Sequence, residues 1–270
     1  MLYVISGQKV LCDTFIDLAR RTWAQMERNH LTKILVDEEG ITGVNLQELK
    51  IKHPYQVQIF DFTPHEESKR TGADWEWWFV DGAYAMGFAV QAKRLDRGKY
   101  DVGYKPKNNP LQIETLLRYC SIAGDISPLY CWYNYFHDEN AESDFWGCAL
   151  ADGVAVYEKH MAGKYKLTDI KPISRPWHRL VCHFLDSGIE SVDWEATSLA
   201  SKIANPAIVL PSGVSPVSPT VHKNGLPQRV KNMINSKGKN GKLILTDPPT
   251  SYPGRIVIVQ RAWPRSDRFD

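Results

Sequence analysis

The stretch Thr71–Leu95 reads TGADWEWWFVDGAYAMGFAVQAKRL, and its pattern decides the fold. Its first half, Asp74 to Val80, is rich in aromatic and other β-favouring residues. Gly82 and Gly87 then bracket a connection to a second apolar run, Phe88 to Val90. These features predict two neighbouring strands, most simply a hairpin.

Both predicted strands carry polar residues in positions where a strand does not need them. Because side chains alternate between the two faces of a strand, Asp74 and Glu76 share one face of the first strand, and Gln91 and Lys93 share one face of the second. If these faces coincide, two carboxylates, an amide and an ammonium converge. Carboxylate oxygens bind Mg²⁺, and a neighbouring lysine stabilises the negative charge of a phosphodiester transition state.

This arrangement resembles a known nuclease family. An acidic residue at Asp74, followed seventeen residues later by Gln91-Ala-Lys93, resembles the PD-(D/E)XK nuclease superfamily, and most closely its Mrr-like branch, in which Gln replaces the acidic residue before the Lys. The resemblance covers roughly residues 37–135. The GADWEWW wording is also similar to that of a bacterial and phage family to which we can attach no activity.

The resemblance implies a site and a cofactor. Asp74 would be the principal ligand of Mg²⁺ or Mn²⁺, and Glu76 or Glu39 would be the second acidic ligand. Gln91 would contribute its amide oxygen, and Lys93 would position water and stabilise the phosphate. The alternatives for Asp74, Gln91 and Lys93 are strand-end charges that face solvent or an ion pair between Asp74 and Lys93. For Glu39 the alternative is an exposed charge near a helix N-terminus.

The resemblance also implies an α/β fold with an αβββαβ core, in which helices flank a mixed central sheet. The local patterns predict the same order, with Asp13 and Thr42 as helix N-caps. The predicted elements are a first helix, Cys12–Arg28, a second helix, Thr42–Lys50, strands at Gln56–Phe62 and in the two motif runs, a helix, Leu111–Ala123, and a strand, Pro128–Phe136.

Domain organisation is predicted as a helical element at 1–36, the core at 37–136 and an extension of the same domain at 137–270. Strands or buried segments are expected at Phe145–Tyr157 and Arg175–Leu185, a helix at Trp194–Ala204, and a final strand at Ile256–Val259. These elements are expected to extend the sheet and to cover its faces. The segment 205–242 is basic and rich in Pro, Ser and Gly.

Charge is unevenly distributed along the chain. Residues 196–270 hold eleven Lys or Arg against three Asp, a net charge of +8, so residues 1–195 carry −6 within a total of +2. Such a basic end can steer a polyanion toward a site on the body, although a solvated, partly disordered loop has the same composition. The candidate nucleic-acid contacts are Gln112, Lys105, Lys107, Arg229, Lys231, Lys237, Lys239 and Lys242.

Gln112 stands where some members of the superfamily carry a Gln-x-x-x-Tyr element. The fourth residue after it is Leu116, and the nearest tyrosine is Tyr119, so the match is partial. An ordinary surface position for Gln112 is the alternative.

The remaining composition indicates a globular protein of the cytoplasm. Hydrophobic residues make up 43% and charged residues 24%, and no apolar run has the length of a membrane span. Five widely spaced cysteines without a Cys-x-x-Cys pair predict reduced thiols. His178, Cys182 and His183 form a weak alternative metal cluster that lacks a second paired half.

The function expected from these residues is metal-dependent hydrolysis of nucleic acid, with DNA as the expected substrate. Defence against foreign DNA is the context that the resemblance implies. The alternative is a protein that binds nucleic acid or a partner without catalysis, as Gln91 permits by removing one anionic ligand. RNA as substrate, a homodimer and an activating protein partner stay open.

Overall fold

A seven-stranded mixed sheet flanked by helices forms the centre of the protein in the computed structural model. The structure describes residues 2–61, 71–106, 110–137, 143–191, 210–215, 219–236 and 254–261. The predicted α/β fold with a mixed sheet is thereby confirmed.

The strands are β1 (Val57–Asp61), β2 (Trp75–Asp81), β3 (Tyr84–Arg94), β4 (Ser127–Tyr133), β5 (Cys148–Asp152), β6 (Ser174–Pro176) and β7 (Arg255–Gln260). The helices are α1 (Leu2–Thr32), α2 (Glu38–Lys52), α3 (Gln112–Ala123), α4 (Gly153–Met161), α5 (Leu167–Ile170), α6 (Trp177–Ser187) and α7 (Gln228–Ser236). Short 3₁₀ turns occur at Ser143–Gly147, Lys171–Ile173 and Ile189–Ser191.

The strand order in the sheet is β1-β7-β2-β3-β4-β5-β6. β2 and β3 form the predicted antiparallel hairpin, with Asp81 opposite Tyr84 and Gly82 at a positive φ of 57° in the turn. β7 lies parallel to β2, and β3 lies parallel to β4. The predicted final strand does extend the sheet, and it does so by inserting between β1 and β2.

The predicted succession of helix, three strands, helix and strand is present from α2 to β4. The helix starts were wrong. α1 begins well before Asp13, and α2 begins at Glu38 because the Asp37 carboxylate accepts a hydrogen bond from the Gly40 amide at 2.8 Å. Thr42 is instead buried within α2, where its hydroxyl hydrogen-bonds the Tyr133 hydroxyl at 2.7 Å.

Two segments that were predicted as strands or buried segments contain more helix than expected. The segment from Phe145 to Tyr157 contains β5 but then turns into α4, and the segment from Arg175 to Leu185 is mostly α6. The Asp152 carboxylate caps α4 by accepting from the Ala155 amide at 2.9 Å, which stops the strand there. The helix predicted at 194–204 lies outside the described residues.

Two buried layers cover the faces of the sheet. On one face α1, α2 and α6 pack on Trp75, Trp77 and Phe79, and on the other α3, α4 and α7 pack on Trp78 and Tyr130. The motif tryptophans are therefore core residues, since each is at least 97% buried. Gly87 makes this packing feasible, because a Cβ there would lie 2.5 Å from the Trp78 ring.

A disulfide joins Cys12 of α1 to Cys182 of α6, with the two Cα atoms 5.2 Å apart. The prediction that all five thiols are reduced was wrong because helix packing brings together two cysteines 170 residues apart. Cys120, Cys131 and Cys148 are free and buried. Cys182 is thus already bonded and is not free for the alternative metal cluster with His178. Within the described ranges, no helix combines the length and apolar character that a membrane crossing requires.

Alkylation after denaturation tests this pairing. Protein purified without reductant and unfolded in denaturant should take up label at three of its five cysteines, and at all five after reduction. Peptide mass spectrometry would locate the protected pair at Cys12 and Cys182. Labelling of all five thiols before reduction would contradict the disulfide.

Candidate metal centre

Strand β3 extends beyond the first residue of β2, and this overhang forms the candidate site. Trp75 lies opposite Val90, so the next two amides on that edge of β3, those of Ala92 and Arg94, have no partner residue in β2. The Asp74 carboxylate accepts from the Ala92 amide at 2.8 Å, and the Glu38 carboxylate accepts from the Arg94 amide at 3.3 Å. Alternate amides on one strand edge point the same way about 7 Å apart, so the two carboxylates lie side by side.

Gly72 accounts for the position of Asp74. Gly72 has a φ of 69°, and a Cβ there would lie 2.6 Å from the Gln112 carbonyl oxygen and the Leu116 amide nitrogen of α3. Only glycine therefore allows the chain to pass this close to α3. Two residues later, the Asp74 amide donates to the Val90 carbonyl at 2.8 Å, which starts the hairpin pairing.

Gln91 connects the Asp74 carboxylate to β3 and leaves one acceptor unused. Its Nε2 donates to Asp74 Oδ2 at 2.8 Å and to the Ala92 carbonyl at 3.0 Å. Gln91 is only 2% exposed, and its buried Oε1 has no hydrogen-bond partner among the described residues. Since an unsatisfied buried acceptor costs about 1–3 kcal/mol, a bound ligand that contacts this oxygen would be favoured.

Lys93 lies on the same face of β3 as Gln91. Its Nζ donates to Gln112 Oε1 at 2.8 Å and lies 5.3 Å from the centroid of the Tyr104 ring. No ion pair forms between Lys93 and Asp74, so the simple ion-pair alternative does not describe this site. Gln112, in the first turn of α3, thus holds the lysine rather than occupying an ordinary surface position.

Burial and neighbouring charges set the protonation of Asp74. Burial, the largest cause, and the charge of the Glu38 carboxylate raise the pKa of the Asp74 carboxyl, and with all contributions included the pKa is about 6. The hydrogen bond from the Ala92 amide and the positive charges of Lys93 and Arg255 act in the opposite direction. Glu38 also forms an ion pair with Arg94 at 3.7 Å, which offsets part of its repulsion with Asp74, and a bound cation would stabilise the two carboxylates further.

The glutamate that accepts a hydrogen bond from β3 is Glu38, through the Arg94 amide, and not its neighbour Glu39. The Glu39 side chain is 73% exposed and forms an ion pair with Arg255 at 3.6 Å. The sequence prediction missed Glu38 because it began α2 at Thr42, four residues after the observed start. With that start, both glutamates lay outside the helix, and the prediction could not tell which of them faces the strand. Asp37 followed by two glutamates was the signal of the true helix start.

Glu76 occupies a buried ion pair instead of a metal site. Its side chain is fully buried and accepts from Arg229 Nη1 at 2.7 Å, from the Tyr119 hydroxyl and from Trp78 Nε1 at 2.8 Å. Arg229 also donates two bonds to Asp125, at 2.8 and 3.2 Å. Both Glu76 oxygens are therefore used, so the prediction of Glu76 as a metal ligand was wrong.

The predicted nucleic-acid contacts separate into three groups. Arg229 is held inside the Glu76 network, so it does not offer a free guanidinium to a phosphate. Lys105 and Lys231 are exposed. Lys107, Lys237, Lys239 and Lys242 lie outside the described residues.

The site offers two carboxylates and one amide oxygen as potential donors to a cation. Across the described part of the chain, no cluster of three or more His, Cys, Asp or Glu side chains has the geometry of a metal site. Mg²⁺ does not require such a cluster, because it commonly binds one or two carboxylates and keeps its other positions for water and phosphate. The donor set at Asp74, Glu38 and Gln91 fits a hard divalent cation of this kind.

The pKa of Asp74 predicts how metal binding depends on pH. Below about pH 6 the carboxyl is protonated in the free protein, so Mn²⁺ affinity should fall about tenfold per pH unit while one proton competes with the cation. Above that pH, Asp74 is ionised and affinity should level off. Calorimetric Mn²⁺ titrations between about pH 5 and 8 measure this profile, and a flat profile would contradict it.

Comparison of the sequence with known proteins identifies the family to which the chain belongs. No curated protein matches the sequence. The model of a family described as "Family of unknown function (DUF6615)" matches residues 11–262, which include Glu38, Asp74, Gln91, Lys93 and Gln112. Because this match covers most of the sequence, the chain belongs to the DUF6615 family.

Proposed function

We propose that the protein is a metal-dependent nuclease that hydrolyses phosphodiester bonds of nucleic acid at the β3 overhang. One observation carries the proposal. The carboxylates of Asp74 and Glu38 accept hydrogen bonds from two β3 amides that have no partner in β2. The buried amide oxygen of Gln91, which has no hydrogen-bond partner among the described residues, and the ammonium of Lys93 lie beside them. DNA is the substrate that we propose first, with defence against foreign DNA as the context.

A divalent cation would be held by the carboxylates of Asp74 and Glu38 and by Oε1 of Gln91. Bound there, Mg²⁺ or Mn²⁺ supplies a Lewis acid that stabilises negative charge on a phosphoryl oxygen and lowers the pKa of water. Gln91 has a double role, because its Nε2 orients the Asp74 carboxylate while its Oε1 is free to bind. This second contact accounts for an otherwise unsatisfied buried acceptor.

Lys93 supplies the fixed positive charge. The hydrogen bond to Gln112 holds its ammonium on the face of β3 that also carries Gln91. A preorganised ammonium stabilises the charge that develops on the phosphate oxygens, and it does not need to reorient during the reaction. Gln112 is therefore a positioning residue for Lys93.

A non-catalytic protein that binds nucleic acid or a partner is the second candidate. The observation that favours it is the count of acidic ligands, which is two where a glutamate at position 91 would make three. A site with less negative charge binds a divalent cation more weakly.

Cleavage assays separate the two candidates. Purified protein is incubated with supercoiled plasmid, single-stranded DNA or RNA and with Mg²⁺ or Mn²⁺, beside the Asp74→Asn variant. We expect cleavage of at least one substrate that chelator abolishes and that Asp74→Asn loses. Equal cleavage by both proteins would exclude this site, and no cleavage by either would favour the non-catalytic candidate.

A further inference from the structure

Beside the site, a loop at residues 96–106 lies against residues 159–166, which comprise the last turn of α4 and the loop after it, and we call these two segments the basic stripe. The Tyr100 amide donates to the Tyr165 carbonyl at 3.0 Å, and the Leu167 amide donates to the Gly98 carbonyl at 3.0 Å. Lys99 and Lys166 lie opposite each other in an isolated antiparallel bridge. These backbone contacts fix the two segments against each other.

The basic stripe is positively charged on an acidic body. It contains six Lys or Arg and two Asp, whereas residues 1–195 as a whole carry −6. None of the six cations forms an ion pair with a carboxylate of the described residues, and five of them are exposed. The six cations are Arg97, Lys99, Lys105, Lys159, Lys164 and Lys166. This charge is therefore available to an external polyanion.

Two tyrosine rings are exposed on the same stripe. Tyr104 is 47% exposed and Tyr165 is 39% exposed. Tyr104 also connects the stripe to the candidate site. Its ring lies under Lys93 Nζ, and its carbonyl accepts from the Gln112 amide at 3.0 Å. A strand on the stripe would thus pass directly to Lys93.

We propose that the basic stripe binds single-stranded nucleic acid and leads it into the site at Lys93. Unpaired cations suit a phosphate backbone, and exposed tyrosine rings suit stacking with bases. Stacking requires bases whose faces are free, so the stripe favours a single strand over a duplex. DNA and RNA share this chemistry. The delivery of the strand to Lys93 rests on the proposed nuclease function, whereas binding to the stripe is measurable without cleavage.

Fluorescence anisotropy in the presence of chelator tests the stripe. The probes are labelled oligothymidylate, oligouridylate and a duplex of equal length. We expect at least one single strand to bind more tightly than the duplex, and Tyr104→Ala to weaken that binding about tenfold while Tyr104→Phe retains it. Comparing the two single strands distinguishes DNA from RNA.

A second experiment reverses the charge of two stripe lysines and compares the result with a matched control. Lys99→Glu with Lys164→Glu should weaken binding at least tenfold and reduce the salt slope by about 1.4, since each phosphate contact on a single strand contributes about 0.7. The control reverses Lys50 and Arg179, exposed on helices that cover the other face of the sheet, and should bind normally.

Two results would overturn the inference: a duplex bound more tightly than both single strands, or unchanged affinity in the stripe variant. Because these measurements exclude metal and cleavage, they are independent of the nuclease activity. Asp74→Asn should bind single strands like the native protein, so loss of cleavage with intact binding would separate the two proposals.

Discussion

Replacement of Arg229 by methionine is expected to lower the free energy of unfolding by about 3–5 kcal/mol. The substitution leaves Glu76 inside the protein without its counter-ion, since the Glu76 side chain has no exposed surface. Methionine preserves much of the side-chain volume. The loss of unfolding free energy therefore comes more from the unpaired buried carboxylate than from altered packing. The same change also removes the two hydrogen bonds that Asp125 accepts from Arg229.

Urea denaturation of four variants, which are Arg229→Met, Glu76→Gln, their combination and the control Lys231→Met, measures this effect. Lys231→Met, on the same helix α7 but exposed, should change stability by less than about 0.5 kcal/mol. Combining Arg229→Met with Glu76→Gln should cost less than the sum of the single changes, because the double variant no longer buries a lone carboxylate. A loss below about 1 kcal/mol for Arg229→Met would show that the pair contributes little to stability.

The second large effect is expected at Lys93. Lys93→Met should reduce the cleavage rate about 10²–10³-fold, which is the usual cost of losing one preorganised donor at a developing negative charge. Mn²⁺ affinity should not fall, because the variant removes a positive charge near Asp74 and no metal ligand. Gln112→Ala should give a smaller loss, since Lys93 keeps its charge but loses its fixed position.

Initial rates on the best substrate, with Lys50→Met as the exposed control, measure the Lys93 effect. Lys50 lies on α2 and is exposed, so its replacement should leave the rate unchanged. A Lys93→Met variant that cleaves at the native rate would remove the lysine from the proposed mechanism.

The hairpin could be predicted because its signals are local. Aromatic residues, alternation and the Gly82 turn all lie within 25 residues, and the structure brings Asp74 and Gln91 together as that pattern predicted. The role of Glu76 could not be predicted in this way. Alternation placed Glu76 on the correct face, but its partner Arg229 lies 153 residues further along the chain.

Long-range packing also explains the other differences. The Glu38 contact with the Arg94 amide spans 56 residues and depends on the exact start of α2. The insertion of β7 between β1 and β2 pairs segments separated by about 180 to 200 residues, for which no local pattern exists. The sequence therefore predicted the order of elements from α2 to β4, whereas helices α4 and α6 and the neighbours of β7 in the sheet required the structure.

Mn²⁺ calorimetry on four proteins tests the central claim most directly. The native protein should bind one ion at the β3 overhang. Asp74→Asn and Glu38→Gln should each weaken binding at least about tenfold, because each removes one of two anionic ligands. Glu39→Gln, the exposed neighbour paired with Arg255, should bind like the native protein. Equal affinity in all four proteins, or no binding in the native protein, would contradict the assignment of a metal centre to Glu38, Asp74 and Gln91.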